Sequence, residues 1–94
     1  MGLGREIRYT MVDEALVARI RRILQDHARL DADVESIGMN DDLYQAGMTS
    51  HASVNVMLAL EDEFSIEFPD HMLKRSAFDS VASIALAVET LTQA

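Results

Sequence analysis

Gly47-Met48-Thr49-Ser50-His51-Ala52-Ser53-Val54-Asn55-Val56-Met57-Leu58-Ala59-Leu60-Glu61-Asp62-Glu63-Phe64 reads as the end of a loop running into a helix. A helix N-terminus carries free amide N–H groups and the positive end of the macrodipole, so it favours an attached phosphate. The hydroxyl of Ser50 is therefore well placed to carry a phosphodiester-linked group. The competing reading is that Thr49 or Ser50 only caps the helix. A capping box is missing, because Ala52 and Ser53 stand where Glu or Gln would reach back. The helix also has more apolar residues than one buried stripe needs. Val56, Met57, Leu60 and Phe64 make one face, spaced i, i+1, i+4 and i+8. His51, Val54, Asn55 and Leu58 make a second, spaced i, i+3, i+4 and i+7. That second stripe suits either a docking surface or a helix packed centrally in a small bundle.

Charge is distributed unevenly around this helix. Asp31, Asp33, Glu35, Asp41, Asp42, Glu61, Asp62, Glu63, Glu67 and Asp70 all lie between Leu30 and Leu73, a segment without Lys or Arg. The basic residues are Arg5, Arg8, Arg19, Arg21, Arg22, Arg29, Lys74 and Arg75, and the formal net charge is −8. Such a field attracts basic partners and disfavours nucleic acid; a solvated acidic face is the plainer alternative.

Outward from this helix the pattern is helical throughout. Val12 to about Arg29 shows Leu16, Ile20, Ile23, Leu24 and His27 on one face, with Arg19, Arg22 and Arg29 outside. A long connection, Leu30 to Thr49, is punctuated by Gly38 and Gly47, with Ile37, Leu43 and Tyr44 as apolar pins. Pro69 permits a short helical turn through Met72 and Leu73. Ser76-Ala77-Phe78-Asp79 suggests a capping-box variant opening a last helix, in which Val81, Ile84, Ala85 and Val88 share a face followed by Leu91. The predicted fold is all-α: a small four-helix bundle of three long helices and one short, with a long loop between the first two.

Composition fits a small module. With 94 residues, 49% hydrophobic and 26% charged, the chain can build one modest core. Aliphatic residues are expected to fill it, with the six Met available for irregular gaps. Zero Cys rules out disulfides and thiolate metal sites. Met1 to Thr10 holds no apolar run long enough for a signal peptide or membrane span, so a cytoplasmic protein without membrane association is expected.

Catalytic and metal motifs fit poorly. Ser50 and His51 are sequence neighbours, whereas a nucleophilic serine needs a base delivered by the fold. His27, His51 and His71 lack the paired spacing of a zinc site. Asp31-Ala32-Asp33-Val34-Glu35 hints at a calcium loop, but Ser36 stands where Gly is needed and Asp42 where Glu is needed.

The run Gly47 to Phe64 resembles the signature of acyl carrier proteins, in which a Gly-x-Asp-Ser-Leu stretch carries 4′-phosphopantetheine on its serine and the next helix ends in Leu-Glu-x-x-Phe. Asp42-Leu43 followed by Gly47 is similar to the family's pattern before that serine. The resemblance implies that Ser50 receives the prosthetic group from coenzyme A through a phosphopantetheinyl transferase. It implies that Thr49, His51, Val54, Asn55, Leu58, Glu61 and Asp62 face partner enzymes. It also implies a carrier rather than an enzyme, loaded with an acyl or aminoacyl thioester by a ligase. Residues 1–11 would be a flexible N-terminal extension and residues 12–92 a single carrier domain, acting as a monomer. Thr49 replaces the family's Asp and His51 its Leu. That departure looks like the stand-alone aminoacyl carrier proteins, charged by ligases related to class II aminoacyl-tRNA synthetases. Two rival readings are an unmodified acidic adaptor using the same helix and a small hydrolase using Ser50 with a distant His.

Overall fold

A computed structural model describes residues 13–93. The proposed extension over residues 1–11 and the expected helix start at Val12 lie outside them. Three α-helices occur among the described residues: α1 (Glu14–His27), α2 (Ser50–Phe64) and α3 (Val81–Thr92). The expected short fourth helix is replaced by two 3₁₀ turns, Asp70–Met72 and Arg75–Phe78. Pro69 fixes the entry at φ −70°, and two turns of three and four residues close before a 13-atom helical ring can propagate.

α1 starts because the Asp13 carboxylate accepts the amides of Ala15 (3.0 Å) and Leu16 (3.3 Å). It buries Leu16, Ile20, Ile23 and Leu24 against α2 and α3. His27, expected on the same face, is exposed instead. It stands three and four residues beyond Leu24 and Ile23 in the last turn, where Ala28 takes the buried position and leaves the imidazole outside.

The α1–α2 connection is tied down along its length. Arg21 donates from one nitrogen to the carbonyls of Val34 and Ile37, both at 2.7 Å. The Asp33 carboxylate caps the 3₁₀ turn Val34–Ser36 through the Glu35 amide, so this acid of the calcium-like run serves the backbone. Val34, Ile37, Leu43 and Met48 are buried, while Tyr44 is half-buried. Two backbone bonds, Leu43 N–H to Asp79 C=O (2.8 Å) and Ala82 N–H to Met39 C=O (2.9 Å), join the connection to the start of α3.

α3 opens at Ser80 rather than at Ser76. The Ser80 hydroxyl accepts the Ser83 amide at 3.1 Å, and the Ser83 hydroxyl donates to Asp79 at 3.0 Å. Phe78 is buried against Phe68, with ring centroids 5.3 Å apart, which holds residues 75–78 in their own tight turn. From Val81 the helix buries Ile84, Ala85 and Val88. The core is mainly aliphatic. Met48 is its one fully buried methionine among the described residues, and Met39, Met57 and Met72 pack at its margin. Each large side chain removed from water here contributes about 1.5–3 kcal/mol. Among the described residues no helix is long and apolar enough to cross a membrane.

Candidate functional site

The approach to Ser50 is shaped by backbone constraints. Gly47 has φ +118°, and a Cβ on it would lie 2.8 Å from Asp31 Oδ2 and 3.1 Å from the Asp31 amide. That close approach accompanies the Asp31 N–H to Ala46 C=O bond at 2.9 Å. Met48 is buried, and its amide donates to the Leu43 carbonyl at 3.0 Å. The next residue, Thr49, has extended backbone (φ −83°, ψ 166°), and its Oγ1 accepts the Ala52 amide at 3.0 Å. Thr49 is therefore the cap of α2.

That settles the ambiguity between the two hydroxyls. Ser50 is the first residue of α2 and exposed. Its carbonyl accepts the Ser53 hydroxyl at 2.7 Å, while the capping bond belongs to Thr49. The Ser50 hydroxyl thus faces outward at the positive end of a 15-residue helix. An exposed oxygen beside unsatisfied amides can accept a phosphodiester without breaking a bond that the fold uses.

Along α2 the two stripes separate cleanly. Ala52, Val56 and Leu60 are buried, with Met57 and Phe64 half-buried. His51, Val54, Asn55, Leu58 and Asp62 are exposed, Val54 at 50% and Leu58 at 52%. The second stripe is thus an open face rather than a second core contact. Glu61 differs from its neighbours. It is half-buried, and Oε2 accepts the Phe68 amide at 2.9 Å, fixing the chain where it turns back after Ser65 (φ +54°).

An open groove of about 390 Å³ begins at Ser50. Ser50, Val54 and Met57 of α2 line it together with Tyr44, Leu73, Lys74 and Arg75. Lys74 and Arg75 are the first basic residues after the acidic segment, a signal present in the sequence but not connected there to Ser50. A larger hollow between α1 and α2 includes His27, Leu58 and Asp62 but not Ser50. Among the described residues, no group of three or more His, Cys, Asp or Glu side chains is arranged to hold a metal ion.

Residues 18–88 match the family model described as "Phosphopantetheine attachment site". An aminoacyl carrier protein from Agrobacterium fabrum is 43% identical over 74 residues, covering 79% of this chain and 89% of the relative. The chain belongs to the acyl carrier protein family. A second relative, an acyl carrier protein of Sinorhizobium fredii, is 33% identical and covers 84% of this chain and 94% of its own length. Among solved structures, the fold is similar to a crystal structure of an engineered Bradyrhizobium japonicum glycine:[carrier protein] ligase complexed with carrier protein from Agrobacterium tumefaciens and ATP. The match has a TM-score of 0.78 and 42% identity, covering 81% of this chain and 99% of the other. This acyl carrier protein thus bears 4′-phosphopantetheine and serves as a carrier of thioester-bound groups. The exposed hydroxyl of Ser50 and the groove beside it fit such a group.

Proposed function

We propose that Ser50 is the attachment residue and that the cargo is an aminoacyl group, loaded by an amino acid:carrier protein ligase. The observation that carries the attachment reading is the division of labour at the start of α2. Thr49 caps the helix and leaves the Ser50 hydroxyl exposed. The likeness to an aminoacyl carrier protein and to a carrier bound by a glycine ligase favours the cargo class. When bound, the arm supplies a terminal thiol on which the cargo is held as a thioester.

The remaining residues provide an address. Val54 and Leu58 seat a partner surface, and His51 and Asn55 flank the apolar contact. Asp62 and the free oxygen of Glu61 attract a basic patch on the partner. Thr49 and His51 stand beside the attachment point, where a transferase and a ligase both make contact. The chain itself performs no bond-making step: a phosphopantetheinyl transferase installs the arm and a ligase loads it. We further propose that it works as a monomer in the cytoplasm, where coenzyme A and ATP supply those partners.

Intact mass after incubation with coenzyme A and a phosphopantetheinyl transferase tests the attachment. The wild-type chain is expected to gain one phosphopantetheine, whereas Ser50→Ala gains none and keeps the wild-type far-UV circular dichroism. An adduct on the folded Ala variant would overturn the assignment.

A further inference from the structure

We propose that Lys74 and Arg75 are positioning residues for the prosthetic arm, holding its phosphodiester against the groove that begins at Ser50. The inference rests on the Ser50 attachment reading and extends it to residues outside α2.

The first argument is placement. Ser50 and the cation pair line one groove, so a substituent on Ser50 that enters it comes within reach of residues 73–75. The second is charge. A phosphodiester adds a negative charge to a segment with no Lys or Arg between Leu30 and Leu73, and its first cations in chain order are Lys74 and Arg75. Both are exposed, and among the described residues the one ion pair is Arg19–Glu63, so neither is neutralised by a carboxylate there. The third is order. The Arg75 guanidinium stacks over the Tyr44 ring at 3.8 Å, and the Tyr44 hydroxyl donates to the Arg75 carbonyl at 3.4 Å. A stacked guanidinium keeps its in-plane N–H donors available for phosphate oxygens while its flat face is occupied. Val54, Met57 and Leu73 line the same groove and give the neutral part of the arm apolar surface to lie against.

An exposed charge contact is weak and screened by salt, so the arm rests here reversibly and remains available to a partner. This contact differs from the acidic docking address in charge, and Glu61 and Asp62 lie outside the groove.

The test compares the apo and holo proteins by amide chemical-shift mapping, with intact mass establishing full conversion to holo. In the wild type, attachment is expected to shift Tyr44 and Leu73–Phe78 as well as the neighbours of Ser50, and added salt should reduce those distal shifts. In the double variant Lys74→Gln, Arg75→Gln, the holo form still appears by mass, but the distal shifts fall about two- to fivefold, as expected for exposed charge contacts. The charge-conserving single variant Lys74→Arg, with Arg75 and its stacking kept, should retain most of them. Equal distal shifts in the wild-type and Gln proteins would overturn the positioning role while leaving Ser50 as the attachment site. A wild-type protein that takes no arm at Ser50 would overturn both.

Discussion

Gly47 shows how narrowly the site is specified at single positions. Its φ of +118° excludes ordinary side chains, and a Cβ there would meet both the carboxylate and the amide of Asp31. Gly47→Ala should therefore destabilise the fold by about 2 kcal/mol or more, lowering the melting temperature by roughly 10 °C in a chain of this size. Thermal unfolding by circular dichroism checks this; an unchanged midpoint would remove the constraint. At the same scale, Thr49 and Ser50 could not be told apart in the sequence, because either hydroxyl can cap a helix. Only the Thr49 Oγ1 to Ala52 N–H distance of 3.0 Å assigns the task. If Thr49 and His51 also select the partner, the double substitution Thr49→Asp, His51→Leu should slow aminoacyl loading by a cognate ligase while leaving arm attachment complete. Unchanged loading rates would dismiss them as selectors.

At the scale of elements, α2 separates stability from recognition by face. Leu60 is completely buried, and Leu60→Ala should cost about 2–5 kcal/mol. Leu58, half-exposed two residues earlier, should change stability by less than about 0.5 kcal/mol when replaced by Ala, yet weaken loading. Chemical denaturation and loading kinetics on the same two variants distinguish these outcomes. The end of α2 and the buried faces of α1 and α3 were legible from apolar spacing, except that the same spacing placed the exposed His27 on the α1 face. The start of α3 was not, since Ser76 and Ser80 are both plausible caps locally. The choice depends on Phe78 packing against Phe68, a contact that spacing within one element does not encode. The same reason explains the missing fourth helix: the segment between Pro69 and Phe78 is held in turns by what it packs on. Similarly, Glu61 reads in the sequence as a partner-facing acid alone, while its bond to the Phe68 amide also secures the end of α2.

For the whole molecule, the decisive quantity is a net charge of −8 with its acids concentrated around α2. Attraction to a basic enzyme surface acts over roughly a Debye length, about 10 Å at 0.1 M salt. Loading by a ligase should accordingly show a KM that rises steeply between low and physiological ionic strength, with kcat nearly unchanged. Steady-state kinetics across salt concentrations tests this, and a flat KM would argue that the apolar contact alone governs docking. The surface pair Arg19–Glu63 at 2.8 Å contributes little to the same balance, since both side chains are close to half-exposed. The long connection was legible as a loop but not as a fixture. Arg21, clasping the Val34 and Ile37 carbonyls, converts it into a frame that holds Met48 and Thr49 in register with α2.

The stacking of Arg75 on Tyr44 also equips the molecule with an optical reporter. The chain has no Trp and two Tyr, so Tyr9→Phe leaves Tyr44 as its one tyrosine emitter, excited at wavelengths where Phe hardly absorbs. Because that phenol lines the groove where the arm is expected to rest, its emission can follow arrival and departure of the tether in real time without an added dye.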